Sequence, residues 1–141
     1  MSLYYGDNFV NYTDLTGKDY AFGNLFSGCK VINAINLILP STILEQGCYI
    51  YMFDSCTNLT IAPELPAITL ASNCYGGMFN GCGSLEYIKA MFITTPGPNY
   101  TSTWVTNVAS NGTFIKNSAA TWNETGNDGI PSGWTIETAS A

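Results

Sequence analysis

A twelve-residue stretch that occurs twice decides the fold. Residues 48–59 read Cys-Tyr-Ile-Tyr-Met-Phe-Asp-Ser-Cys-Thr-Asn-Leu, and residues 74–85 read Cys-Tyr-Gly-Gly-Met-Phe-Asn-Gly-Cys-Gly-Ser-Leu. Six of the twelve positions are identical at an offset of 26 residues. A weaker copy occupies residues 21–32, in which Leu-Phe replaces Met-Phe and Cys29 stands at the second cysteine position. The chain is therefore predicted to consist of repeated units.

The length of the unit points to a leucine-rich-repeat-type solenoid, because such repeats have a period of about 20–29 residues. One unit has too few apolar side chains for a core of its own, so neighbouring units must share one. Three columns of buried side chains are expected: Phe26, Phe53 and Phe79; Ile32, Leu59 and Leu85; Cys29, Cys56 and Cys82. Short stacked parallel strands are predicted over 32–39, 59–65 and 85–93, with short helical turns before Phe53 and Phe79.

The 141 residues are enough for one compact domain, and we predict a single repeat domain over 1–141. Residues 21–93 would form about three coils of 26–27 residues, with an N-terminal cap at 1–20 and a C-terminal cap at 94–141. In the C-terminal cap, the spacing of Trp104, Val105 and Val108 predicts a short helix that ends near Gly112. Strands are predicted at Thr113–Lys116 and Trp134–Ile136.

Composition and charge exclude several classes of function. Charged residues make up 10% of the chain, the net charge is −6, and there is neither arginine nor histidine. Binding to nucleic acid or to an anionic membrane surface requires many basic side chains, so both are argued against. No apolar run approaches the roughly 18 residues of a spanning helix. The first seven residues have no basic region and no apolar segment, so they are not predicted to be a secretory signal.

The candidate chemical groups do not form a recognisable motif. The five cysteines include no Cys-x-x-Cys pair, and a zinc site is therefore not predicted. Buried free thiols are the favoured interpretation of the cysteine column, although neighbouring strands about 4.8 Å apart would also allow a disulfide. The carboxylates are scattered singly, which favours solvated surface acids over a glycosidase pair. These acids are Glu45, Asp54, Glu64, Glu86 and Glu124. We predict no catalytic residue, no cofactor and no metal.

Aromatic side chains are the remaining candidates for a binding surface. The chain has nine tyrosines and three tryptophans. Tyr49 and Tyr75 recur in register, which favours packing between units. Tyr51 and Tyr87 do not recur, and they are the better candidates for exposed contact residues. Glu86 and Lys89 flank Tyr87 on a predicted strand. None of these positions is specific enough to assign a binding site.

The repeated unit resembles a known family. The pattern Cys-Tyr-x-x-Met-Phe-x-x-Cys-x-x-Leu, followed by Ala-Pro-Glu-Leu-Pro-Ala-Ile-Thr-Leu-Ala at residues 62–71, is similar to BspA-like leucine-rich repeats. Those repeats occur in surface and secreted proteins of Bacteroides and related gut bacteria. The segment Gly129-Ile-Pro-Ser-Gly-Trp-Thr135 also resembles the C-terminal ending of such proteins. The resemblance implies attachment to host proteins, other cells or matrix.

These observations lead to a functional expectation with two alternatives. A non-enzymatic binding or adhesion module is predicted, extracellular or at the cell surface in its parent protein, with a protein or glycan of a host or bacterial surface as partner. The first alternative is a structural spacer or terminal stalk of a larger surface or phage-tail protein. The second is a glycan-active enzyme. Direct membrane insertion is not expected, and edge-to-edge pairing of two copies into a homodimer remains open.

Overall fold

The computed structural model describes residues 13–139, and every structural statement below applies to that range. Most of the N-terminal cap predicted at 1–20 lies outside the described residues. Within the described range the chain alternates between segments made of successive turns and short extended segments. No helix in that range has the length and hydropathy needed to cross a lipid bilayer.

The turn-rich parts of the chain are three segments that we call turn ribbons, at residues 20–28, 47–55 and 73–81. Within each ribbon, alternate N–H groups donate to the carbonyl three residues earlier, as Gly23 N does to Tyr20 O at 3.1 Å. Every fourth residue has a positive φ of 51–75°. These residues are Tyr20, Asn24, Gly28, Gly47, Tyr51, Ser55, Asn73, Gly77 and Gly81. The repeated left-handed residue bends the backbone at regular intervals and prevents both helix and strand.

The other half of the ribbon N–H groups connects each ribbon to the next one. Four N–H groups of the first ribbon donate to carbonyls of the second at 2.8–2.9 Å, as Phe26 N does to Met52 O, and Tyr20 N donates to Gln46 O directly before it. The second ribbon donates to the third in the same way, and Phe79 N donates to Trp104 O at 2.9 Å. Because every buried N–H needs an acceptor, these ladders hold the ribbons in a stack.

The extended parts of the chain form a small parallel sheet with the order β1-β2-β3. Its strands are β1 (Tyr87–Ala90), β2 (Thr113–Lys116) and β3 (Thr135–Thr138). Tyr87 pairs with Thr113, and Thr113 pairs with Thr135. Isolated parallel bridges from Tyr87 to Ile61 and from Ile61 to Asn33 extend the row of paired residues beyond β1, towards the N-terminal end of the stack.

The fold class predicted from the repeat, a leucine-rich-repeat-type solenoid with stacked parallel strands and short helical turns, is wrong. Residues 13–139 contain no helix, and their strands are three segments of four residues. Only β1 lies where a repeat strand is predicted, whereas 32–39 and 59–65 contain isolated bridges. The physical reason is the turn ribbon, in which a positive φ at every fourth residue ends any regular element and half of the N–H groups bond outside their own segment.

The aromatic core runs through the stack at the repeat interval. Phe26 stacks on Phe53 with ring centroids 5.4 Å apart, and Phe53 stacks on Phe79 at 5.8 Å. This confirms the predicted phenylalanine column. Trp104 continues the column, since its ring lies 6.0 Å from that of Phe79 and is fully buried. A side chain of this size buries 150–250 Å² on folding, so the column makes a large contribution to stability.

Several local predictions are wrong at the two ends of the stack. Ile32 is 64% exposed, although Leu59 and Leu85 are fully buried. Cys29 is exposed, whereas Cys56 and Cys82 are buried. Both exposed residues belong to the first of the three repeat units, so the burial of a repeat position changes along the stack. At the other end the helix predicted through Trp104 is absent, since Thr103 and Asn107 have positive φ. The strands predicted at Thr113–Lys116 and near Trp134–Ile136 are confirmed as β2 and β3.

Candidate functional site

Two exposed tyrosines on the outer face of the turn ribbons form the candidate site, which we call the tyrosine face. Tyr20 is 51% exposed and Tyr51 is 41% exposed. Both residues have a positive φ, which turns their side chains out of the ribbon. Tyr20 belongs to the first ribbon and Tyr51 to the second, so the stack of ribbons sets their relative position.

Each ring of the tyrosine face lies on a glycine of the next ribbon. The Tyr20 ring lies over Gly47 and the Tyr51 ring over Gly77, and a methyl group added at either glycine would overlap the ring above it. Gln46 Nε2 also donates to Tyr20 Oη at 2.9 Å. One side of each ring is thus supported by backbone while much of the side chain stays accessible. Such rings lose little conformational entropy when a ligand stacks on them.

The sequence analysis identified Tyr51 as a contact candidate but missed Tyr20. The overlooked signal is the pairing of a tyrosine with a glycine at the repeat interval: Gly47 follows Tyr20 by 27 residues, and Gly77 follows Tyr51 by 26. The other candidate, Tyr87, is half-buried in β1 and belongs to the sheet rather than to a ribbon. The structure therefore does not join Tyr51 and Tyr87 in one site. Lys89, close to Tyr87, forms an ion pair with Glu64 at 3.5 Å.

All five cysteines are free thiols, and four of them are buried. Cys56 Sγ donates to Phe26 O at 3.0 Å, and Cys82 Sγ donates to Phe53 O at 3.1 Å. Burial raises the pKa of Cys48, Cys74 and Cys82 to about 12 in each case. Because the thiolate is the reactive form of cysteine, these thiols are chemically inert at neutral pH. Their geometry agrees with the interpretation as small apolar fillers.

The acidic side chains of Glu45 and Asp54 bond to nearby N–H groups and do not form a carboxylate pair. Glu45 Oε2 accepts from Gly17 N at 3.0 Å, and Asp54 Oδ1 accepts from Asn80 Nδ2 at 2.9 Å. Within residues 13–139, no group of three or more cysteine or acidic side chains is placed to hold a metal ion. Of the carboxylates named in the sequence analysis, Glu45 and Asp54 thus accept local hydrogen bonds, and Glu64 forms an ion pair with Lys89.

A buried lysine in β2 was not anticipated from the sequence. Lys116 is 6% exposed, and its Nζ donates to Ala120 O, Trp122 O and Asn123 Oδ1 at 3.3, 2.7 and 2.8 Å. The ammonium group also lies 5.4 Å from the centre of the Trp122 ring. Its donors are satisfied by the loop that follows β2, so Lys116 holds that loop against the core and offers no free charge to a ligand.

The chain was compared with known proteins in three ways. No family model, no curated protein and no solved structure matches it. The resemblance to BspA-like repeats consequently stays a prediction from the sequence.

Proposed function

We propose that this protein is a non-enzymatic binding module whose tyrosine face holds a carbohydrate of a host or bacterial surface. The observation that carries the proposal is the support of the exposed Tyr20 and Tyr51 rings by Gly47 and Gly77. A flat aromatic ring with an apolar face and a polar hydroxyl suits the mixed surface of a sugar ring. We propose with it that the parent protein is extracellular or lies at the cell surface.

The charge of the protein narrows the class of carbohydrate. A net charge of −6 is electrostatically unfavourable for binding sialylated and sulfated glycans, which are also negatively charged. The exposed amide side chain of Gln46, whose Nε2 bonds to Tyr20 Oη, offers both donors and an acceptor to sugar hydroxyls. A neutral glycan is therefore the proposed ligand, and a surface protein is the alternative that the experiment must separate from it.

The test is binding of the whole chain to an array of neutral glycans and of deglycosylated surface proteins. Saturable binding to one or more neutral glycans is expected, with a loss of at least about tenfold on Tyr51→Ala, which corresponds to the roughly 1.4 kcal/mol of one supported aromatic contact. Tyr51→Phe should retain most of the binding because the ring remains.

A matched pair of glycine substitutions provides the control. Gly77→Ala should lift the Tyr51 ring from its support and weaken binding. Gly28 also has a positive φ, 72° against 58° at Gly77, but no atom lies within 4 Å of a methyl group added there. Both substitutions impose similar backbone strain, so the difference between them isolates the position of the ring. Binding to proteins alone would replace the carbohydrate proposal. Absence of binding to either array would favour the spacer or stalk.

A further inference from the structure

The sequence contains two asparagines that are followed directly by glycine, in the pairs Asn80-Gly81 and Asn111-Gly112. In such a pair the backbone nitrogen of the glycine can attack the carboxamide of the asparagine. Glycine hinders this attack less than any other residue, because it has no Cβ. In an unfolded chain the two pairs should therefore react at similar rates, and the fold decides which of them reacts in the native protein.

The fold holds both halves of the Asn80-Gly81 pair. Asn80 Nδ2 donates to Asp54 Oδ1 at 2.9 Å, and Gly81 N donates to Thr106 O at 2.8 Å. The second bond belongs to the ladder between the third ribbon and residues 99–106. Attack by Gly81 N requires that this ladder opens and that the carboxamide turns away from Asp54. Both steps cost free energy, so the folded chain protects this pair.

The Asn111-Gly112 pair lies in the segment just before β2. Asn111 is exposed, and the ladder of β2 begins one residue after the pair, where Thr113 N donates to Glu86 O at 2.9 Å. Rotation of the Asn111 side chain towards Gly112 N therefore takes place in solvent and leaves the ladder intact. The folded chain does not protect this pair as it protects Asn80-Gly81.

Packing also fixes a glycine at position 112. A methyl group added there would lie 2.6 Å from the Trp134 ring and 2.7 Å from Glu86 O. Contacts as short as these are repulsive, so a larger residue would have to displace the ring or the backbone before β1. The fold thus requires, directly after Asn111, the residue that makes an asparagine most reactive.

We propose that Asn111 is a modification site, at which water converts the asparagine to aspartate or isoaspartate without an enzyme. Gly112 N attacks Asn111 Cγ, the bond from Cγ to Nδ2 breaks, and Nδ2 leaves as ammonia together with the proton of Gly112 N. Water then opens the resulting succinimide ring. Breaking the bond between Gly112 N and Cγ gives aspartate, whereas breaking the bond between Gly112 N and the Asn111 carbonyl carbon gives isoaspartate. This proposal does not depend on the carbohydrate proposal.

The modification changes a hollow at the start of β1 and β2. The hollow has a volume of about 430 Å³ and is lined by Ile61, Glu86, Tyr87, Asn111, Gly112 and Thr113. Either product adds a carboxylate to a lining that already contains Glu86. Isoaspartate also lengthens the main chain by one carbon, directly before the hydrogen bonds from Thr113 N to Glu86 O and from Thr135 N to Gly112 O. The reaction thus alters the charge of this surface and the start of β2 as the protein ages.

The test follows both pairs in the same whole chain. The folded protein is incubated at mildly alkaline pH, which favours loss of the glycine N–H proton, and peptide mass spectrometry measures the deamidated fraction at positions 80 and 111 over time. Asn111 is expected to react at least about tenfold faster than Asn80, because opening of the ladder at Gly81 costs free energy. In urea the two rates should agree within about threefold, since little structure then separates the two sites.

The control variant is Asn111→Gln, an exposed substitution that keeps the carboxamide and should leave the fold intact. The longer side chain cannot form the five-membered ring, so the reaction at position 111 should be lost while the reaction at position 80 is unchanged. Equal rates at the two positions in the folded chain, or a slower reaction at position 111, would overturn the proposal. Undiminished release of ammonia from the folded Asn111→Gln variant would overturn it as well.

Discussion

The two ends of the stack of turn ribbons differ in how deeply equivalent residues are buried. In the first ribbon Phe26 is half-buried, and Cys29 directly after this ribbon is exposed. At the C-terminal end Trp104 is fully buried, and its Nε1 donates to Gly129 O at 2.8 Å. Asp128 Oδ1 and Asn127 O accept there from the N–H groups of Thr103 and Val105. Residues at equivalent positions of the repeat therefore differ in burial according to their place in the stack. The local sequence around each residue does not predict this difference.

The largest expected difference is between the two ends of the phenylalanine column. Phe79 is fully buried between Phe53 and Trp104, so Phe79→Ala should lower the free energy of unfolding by about 3–5 kcal/mol. Phe26→Ala removes a ring with only one stacking partner among the described residues and should cost about half as much. Urea denaturation of both variants measures the difference. Equal losses would show that the first ribbon is covered in solution.

Alkaline pH should lower the folding stability of the protein because of its buried thiols. The folded pKa of Cys48, Cys74 and Cys82 is raised to about 12, above the unfolded value of 9.0, so the folded state keeps protons that the unfolded state releases. Stability is fully present below pH 9 and should fall by about 1 kcal/mol per thiol between pH 9 and 10. Thermal unfolding as a function of pH measures the slope. Cys82→Ala should reduce the slope.

Two lysines at different depths should contribute very differently to stability. Lys116→Met would leave the carbonyls of Ala120 and Trp122 without their donor, at a cost of about 2 kcal/mol. Lys89→Met removes a surface ion pair with Glu64 and should change stability by less than about 0.5 kcal/mol. Chemical denaturation of the two variants tests the contrast. A small effect at Lys116 would mean that the loop after β2 is not held by this side chain.

The smallest expected difference between two paired variants concerns the C-terminal end of the stack. Asp128→Ala removes the acceptor of Thr103 N and should cost about 1 kcal/mol, as the loss of a helix N-cap does. Asp19→Ala, at an exposed residue just before the first ribbon, should be nearly neutral. Amide exchange at Thr103 provides the local measurement. Unchanged protection there would indicate that Asn127 and Gly129 alone close this end.

The sequence predicted which residues contact one another better than it predicted their conformation. The 26-residue interval correctly placed Phe26, Phe53 and Phe79 in one column, because identical spacing brings equivalent side chains together. It did not predict the turn ribbon. Positive φ at Tyr51 and Asn73 has little signal in a single sequence, since non-glycine residues adopt this region only when surrounding contacts compensate.

The candidate site was predicted only in part for a related reason. Tyr51 was identified because it breaks the repeat, but the role of Gly77 as its support depends on a contact between two ribbons. Lys116 was missed because its burial depends on carbonyls of a loop that follows it, and no sequence pattern marks such acceptors.

By itself the sequence determined the repeat interval, the acidic charge and the aromatic positions that fill the core, since these follow from residue identity and spacing. Only the tertiary structure decided that the units are turn ribbons, in which half of the N–H groups donate to the next ribbon. The physical reason is competition for hydrogen bonds. An N–H group bonds within its own segment or to a neighbouring one according to what lies beside it, and that neighbour exists only after the chain has folded.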